Sequence, residues 1–310
     1  MWFFIAILGY FLLAIVFILD KLIVQKSVSK PVVYTFYSTI IMFGALIAWP
    51  FIGFDLLAGM DWLWAIVSGV AFGFALWTFY ISVHHGEVTH IGPFNGAMVT
   101  IFLYVLGWQF LGEKLSGLQI GGIVILIFAS LLLSFEKSRK HSGFHVGFLW
   151  AIVSGLLFAI SHVSAKYLYG IYPFWTALIW TRATTGFVGL LILLSPTVRA
   201  ALARRSPHRA DGGGAKTKPK TYARRHAGWI IAADKVFSVL SNVLIQYAMA
   251  IGIVTLVGAI SGLQFVLMFV MVLLLTKLLP RVFKEYFTKK ELVVELIALV
   301  LVVIGLVFMV

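Results

Sequence analysis

Residues 2–19 read WFFIAILGYFLLAIVFIL, a run without one charged side chain. Its length approaches the roughly 20 apolar residues that an α-helix needs to cross the hydrocarbon core of a bilayer. Similar stretches follow at about 32–52, 62–83, 88–111, 116–135, 147–167, 173–194, 228–251, 254–278 and 291–310. With 62% hydrophobic residues, 11% charged residues and a mean hydropathy of +1.04, the chain carries more apolar surface than one water-soluble core can hide. The sequence therefore predicts an all-α membrane protein with ten transmembrane helices. The first run has no basic start and no A-x-A-like cleavage site, so it reads as a helix rather than a signal peptide. The absence of cysteine excludes disulfides, thiolate metal sites and cysteine nucleophiles.

The formal charge of +13 invites a nucleic-acid partner, and its placement argues against one. When the ten helices are threaded alternately, 20 of the 24 basic residues fall at 21–30, 137–140, 199–225 and 277–290, all on one side. The positive-inside bias assigns that side to the cytoplasm and both termini to the outside. The loop at about 195–227 contains RRSPHRADGGGAKTKPKTYARRH, which reads as a disordered basic linker. Anionic lipid headgroups are its expected partner, and an inert linker is the alternative. Most tryptophans, among them Trp2, Trp49, Trp62 and Trp108, stand near predicted helix ends, where indole favours the headgroup boundary.

The frame VTHIGPFNG at 88–96 returns as VTLVGAISG at 254–262, with V, T, G and G at identical spacing. The first copy opens helix 4 and the second opens helix 9. Five helices separate them, so the copies run in opposite directions through the membrane. That is the signature of an inverted repeat. Residues 1–135 then form one five-helix repeat and 136–310 the other, with the basic loop inside the second. Gly92 with Gly96, and Gly258 with Gly262, are small-xxx-small pairs that let helix backbones approach closely in lipid.

Two five-helix repeats, with HIGPFNGAMVTIFLYVLGWQFLGEKLSGLQIGGIVILIFASLLL closing the first, resemble the EamA-type members of the drug/metabolite transporter superfamily. In that family a glycine and a proline near the start of helix 4, a G-E pair at its end (here Gly112 and Glu113) and a glycine-containing fifth helix recur. The resemblance implies a carrier that moves small metabolites or drugs by alternating access. The second half departs from the pattern, with Ala259 at the proline position and Thr276 and Lys277 in place of the G-E pair.

Polar residues inside apolar spans point to mechanism, because a charge at a helix centre costs about 2.5 to 3.5 kcal/mol on insertion scales. On helix 8, Asp234, Lys235, Ser238, Ser241, Asn242 and Gln246 fall within an arc of about 140° at helical spacing. Helix 6 carries a comparable stripe of Ser154, Ser161, His162, Lys166 and Tyr169, and helix 7 adds Thr181, Arg182, Thr184 and Thr185. These stripes are expected to line a hydrated cavity. The expected substrate-binding set is Arg182, Asp234, Lys235, Asn242 and His162, with Trp77 and Trp180 as walls.

Arg182 offers a planar fork for a carboxylate or phosphate. Asp234 holds Lys235, or receives a substrate amine, or forms a structural ion pair with Arg182. Other polar groups have plain readings. Lys166 snorkels to the interface, His162 is a hydrogen-bonded core histidine, and Glu113 is solvated. The cluster HHGEVTH supplies His84, His85, Glu87 and His90, which are chemically able to bind zinc, yet its repeat mate AIGIVTL is apolar. No metal or cofactor is assigned there, and a gate or pH-sensitive contact is the second reading of the cluster.

The expected function is a secondary transporter of the plasma membrane (a cell inner membrane). It exports or exchanges small polar metabolites, amino-acid-like or otherwise anionic or zwitterionic. The rival readings are a membrane-embedded enzyme acting on lipid-linked substrates and a non-transporting scaffold. The chain has no HExxH or GxSxG arrangement, so no enzyme chemistry is expected.

Overall fold

The computed structural model of the chain describes residues 1–24, 31–52, 55–86, 88–134, 145–203, 227–278 and 289–309. Glu87, the basic residues at 137–140 and the 204–226 part of the basic loop lie outside these residues. Every regular element among the described residues is a helix. In chain order they are α1 (Trp2–Val24), α2 (Pro31–Ile52), α3 (Asp61–His85), α4 (Val88–Leu111), α5 (Gly117–Ser134), α6 (Val146–Tyr169), α7 (Phe174–Leu193), α8 (Ala227–Ile251), α9 (Val254–Leu278) and α10 (Lys289–Met309). A short helix, Pro196–Ala203, follows α7.

Among the described residues, nine helices are long and apolar enough to cross a membrane. The remaining long helix, α8, runs for 25 residues. In lipid the helix is favoured because every backbone polar group finds its partner within the segment.

Two helices change character along their length. Within α2 the α-helical turns of Pro31–Ile40 give way to a 3₁₀ stretch, Ile41–Ala48, and α geometry resumes over Trp49–Ile52. In α9, Val254–Ala259 and Ser261–Leu278 are separate pieces with the break at Ile260. In α4 the helix runs unbroken through Pro93. The two copies of the repeated frame therefore differ in backbone: the copy with proline is continuous and the copy with Ala259 is not.

Packing falls into a pattern of pairs. α3 lies along α6 and α8 lies along α1, while α6 also packs on α4 and α1 on α9. α5 pairs with α10, α2 with α7, and α4 with α9. Small residues make these approaches possible. A Cβ on Gly92 would stand 2.7 Å from the Phe265 ring, and one on Gly96 would stand 3.3 Å from Ser261 Oγ. Gly258 packs directly on Leu103, so α4 and α9 cross where the repeated glycines lie. Gly262 instead faces α5, with Ser130 Oγ at 2.8 Å from its Cβ position. The main buried cluster fills this centre, with Leu103, Leu126, Val257 and Ile260 fully or almost fully covered.

Serine and asparagine side chains then join the helices through backbone carbonyls. Ser68 Oγ donates to Ser161 O at 2.9 Å, and Ser154 Oγ to Ala75 O at 2.9 Å. Thr184 Oγ1 reaches Ala65 O at 2.8 Å, Ser241 Oγ reaches Gly9 O at 2.9 Å, and Asn95 Nδ2 reaches Ala151 O at 2.9 Å. The stripes on α6 and α7 were expected to line a cavity. Ser154 and Thr184 are instead spent on backbone carbonyls of α3, and Thr181 and Thr185 on the preceding turn of α7 itself, because a hydroxyl in a dry interface must find an acceptor close by.

Candidate functional site

What remains after those bonds is a cluster around Arg182, on the inward side of α7. Arg182 is 6% exposed, and its Nε has no hydrogen-bond partner. It forms no ion pair with a described residue. Its guanidinium carbon stands 4.4 Å from the centroid of the Phe72 ring, supplied by α3. A desolvated cation over an aromatic face gains about 2 kcal/mol, far less than removal of the charge from water costs. Arg182 is therefore a buried charge with half a partner.

The cluster is completed by α6 and α8. His162 meets the Phe72 ring edge-on with centroids 6.3 Å apart, and Tyr169 stands two helical turns further along α6. Gln246 of α8, 1% exposed, bridges them: Tyr169 OH donates to its Oε1 at 3.0 Å, and its Nε2 stands 3.3 Å from His162 Nδ1. An amide nitrogen only donates, so His162 Nδ1 is the acceptor and its ring proton is on Nε2. Phe158 stacks on His162 with centroids 6.2 Å apart and meets the Phe72 ring edge-on at 5.4 Å. The result is one guanidinium over the Phe72 ring, with Phe158 and His162 packed against that ring and Gln246 and Tyr169 hydrogen-bonded in a chain from His162 Nδ1 onward.

The other expected site residues lie elsewhere. Asp234 is fully buried, and its one charge partner among the described residues is its neighbour, with Lys235 Nζ 2.9 Å from Asp234 Oδ2 and the Lys235 side chain 53% exposed; neither carboxylate oxygen has a hydrogen-bond partner. Asp234 precedes Gln246 by twelve residues, about 18 Å along a helix. It shares a face of α8 with Ser241, whose hydroxyl bonds α1. The structure thus brings Arg182 and His162 together and leaves Asp234 and Lys235 apart from them. Asn242 is half-buried and makes no hydrogen bond to a described residue. Trp77 is half-buried against Phe74, with centroids 5.9 Å apart. Trp180 donates Nε1–H to Asp55 O at 2.9 Å and packs on Trp49 and Trp62 at 5.2 and 4.8 Å, which makes it part of an aromatic seal over the ends of α2, α3 and α7.

That end of the bundle is held at several points. Tyr172, in the turn between α6 and α7, donates to Asp61 Oδ2 at 2.6 Å and accepts from Ala58 N–H at 2.9 Å. The carboxylate acceptor holds the Tyr172 phenol above the usual tyrosine range. Glu113, expected to be solvated, accepts from Val254 N–H at 2.7 Å and from Thr255 Oγ1–H at 2.7 Å. Gly112, at φ +64°, turns the chain out of α4 and delivers that carboxylate to the start of α9. Lys166, expected to snorkel, donates to Ala250 O and Gly252 O at 2.8 Å each. Glu113 and Lys166 also line a cavity of about 410 Å³ with Tyr167 and Ile253. A glycine followed by an acid, just after one long apolar run, was the available signal for this contact.

Of the histidine cluster, the His84 and His85 rings meet edge-on with centroids 5.6 Å apart, and Glu87 lies outside the described residues. His85 Nδ1 faces Ile81 O at 2.9 Å, and His90 Nδ1 faces Leu133 O at 3.2 Å on α5. Among the described residues no group of three or more His, Cys, Asp or Glu side chains gathers as metal ligands.

No protein-family model and no curated protein matches the chain. Its fold is similar to a solved crystal structure over 99% of this chain and 95% of that one, with a TM-score of 0.66 and 15% sequence identity, a likeness of fold alone.

Proposed function

We propose that the chain is a secondary transporter, EamA-like in the drug/metabolite transporter sense, that moves small metabolites carrying an anionic group across a plasma membrane by alternating access. The observation that carries this reading is Arg182: a buried guanidinium within a helical bundle with no carboxylate beside it among the described residues. Intramembrane charges of this kind mark substrate or ion pathways. A substrate anion supplies the missing partner during each cycle.

The architecture of the carrier is ten transmembrane helices in two inverted five-helix repeats. The pairing of helices supports it. Exchanging α1–α5 with α6–α10 turns the α3–α6 contact into α8–α1 and the α4–α6 contact into α9–α1, and leaves α5–α10, α2–α7 and α4–α9 as self-matched pairs. The basic loops support a cytoplasmic location for 195–227 and an outside location for both termini. The tight hold of Glu113, Lys166 and Tyr172 on the outer turns, beside sparse packing of α8 on α6 and α7, fits a conformer closed at its outer end.

The test is reconstitution into sealed vesicles loaded with metabolites from cells that lack the protein. A carrier changes the distribution of at least one anionic solute without altering its structure. Chemical conversion of a solute or lipid in place of redistribution would favour the enzyme reading.

A further inference from the structure

We infer that the Arg182 site selects a monocarboxylate with a flat apolar body, over a phosphate ester, an α-amino acid or a cation. The inference rests on the reading of Arg182 as the substrate's anchor and narrows it through the charges and surfaces around that side chain.

Arg182 is the one buried cation of the bundle's described residues that has neither a carboxylate nor a hydrogen-bond partner. Lys166 is engaged by the carbonyls of Ala250 and Gly252 and Lys235 by Asp234, while Lys277, at the end of α9, is exposed. His162 accepts from Gln246, which places a neutral ring beside the guanidinium. A single unit of positive charge balances a monoanion. A phosphate ester with two negative charges would bring a second, uncompensated charge into a dry site, and the cost of that is several kcal/mol.

An α-amino acid needs an acceptor for its cationic group near the guanidinium. Asp234 lies beside Lys235 and is displaced by about 18 Å along α8 from Gln246. The Gln246 carbonyl is already taken by Tyr169. Among the described residues no carboxylate stands beside Arg182 to receive a substrate amine, and a simple cation would meet Arg182 itself.

The Phe72 ring lies 4.4 Å from the guanidinium carbon, and Phe158 and His162 stand 5.4 and 6.3 Å from that ring and nearly parallel to each other at 6.2 Å. Aromatic surface of this kind accepts a flat apolar group by offset or edge contact. A carboxylate engages guanidinium through two parallel N–H···O bonds in one plane.

Four probes with one phenyl body separate these classes: phenylacetate, phenyl phosphate, phenylalanine and phenethylamine. Purified full-length protein in detergent is unfolded thermally with each in turn. Phenylacetate is expected to raise Tm in a concentration-dependent way, with an apparent Kd roughly tenfold or more below the other three, about 1.4 kcal/mol of selectivity. Arg182→Gln is expected to abolish the shift, and Phe72→Leu, which keeps the charge, to weaken it by several-fold and so serve if Arg182→Gln does not fold. No shift with phenylacetate, or an equal shift with phenylalanine or phenyl phosphate, overturns the inference. Vesicle uptake separates it from the carrier reading. Binding of phenylacetate without uptake of any solute would sink transport and leave the selectivity standing. Arg182-dependent uptake of phenylalanine or phenyl phosphate, with phenylacetate ignored, would do the reverse.

Discussion

Glu113 and Lys166 hold opposite sides of one turn: the carboxylate takes the amide of Val254 as α9 begins, and the ammonium takes the carbonyls of Ala250 and Gly252 as α8 ends. A helix start exposes N–H groups and a helix end exposes carbonyls, so each charge meets the dipole it complements. The turn ties α6, which carries Lys166, and the connection just after α4, which carries Glu113, to the α8–α9 junction.

Glu113→Ala is expected to lower the unfolding temperature by several degrees, since hydrogen bonds to charged groups contribute about 1.5 to 3 kcal/mol. Glu113→Gln, which keeps one acceptor oxygen, is expected to fall between the variant and the parent. Differential scanning fluorimetry in detergent reads both, and an unchanged Tm for Glu113→Ala would contradict a clamp at this turn.

The closest approaches should be intolerant of even a methyl group. A Cβ on Gly69 would stand 2.5 Å from the Thr185 backbone nitrogen, whereas one on Gly121 meets nothing nearer than Phe308 at 3.8 Å. Gly69→Ala should reduce folded yield, with overpacking of about 1 to 3 kcal/mol, and Gly121→Ala should not. Size-exclusion yield of the two variants makes the comparison, and equal yields would remove the packing role assigned to the α3–α7 contact.

Ser154 distinguishes helix glue from cavity lining. Its hydroxyl is spent on Ala75 O, so Ser154→Ala is expected to reduce stability by about 0.6 kcal/mol and to leave substrate uptake intact. A large loss of uptake at normal stability would place this hydroxyl in the transport path.

The helices were legible because runs such as 2–19 and 254–278 leave an α-helix in lipid as the only ready solution. The positions of Gly92, Gly96 and Gly258 at the α4–α9 crossing were legible as well, through spacing alone. The polar stripes were not. Helical period shows that Ser154, Ser161 and His162 lie together on α6, but whether that face meets a helix or a cavity depends on the neighbour, and Ser154 proved to meet α3. The arc on α8 likewise grouped Asp234 with Gln246 by angle and ignored the distance of about 18 Å along the axis. Glu113 reads as solvated in the sequence because its partner amides belong to a helix more than a hundred residues later.

Topology is testable apart from chemistry. A reporter active only in the cytoplasm is expected to work when inserted between residues 204 and 226, where the basic residues concentrate, and to fail when fused after residue 310. Activity at the C-terminus and silence in the loop would invert the orientation.

The central claim is that Arg182 awaits a substrate anion and is not half of an ion pair with Asp234. It is tested most directly by vesicle uptake of an anionic solute with Arg182→Gln, Asp234→Asn and the double variant, each brought to equal folded protein. The account predicts that Arg182→Gln alone lowers uptake roughly tenfold or more, and that adding Asp234→Asn restores none of it, because Asp234 is engaged by Lys235. Uptake at the parent level in the double variant would show that the two charges serve each other, and would contradict the claim.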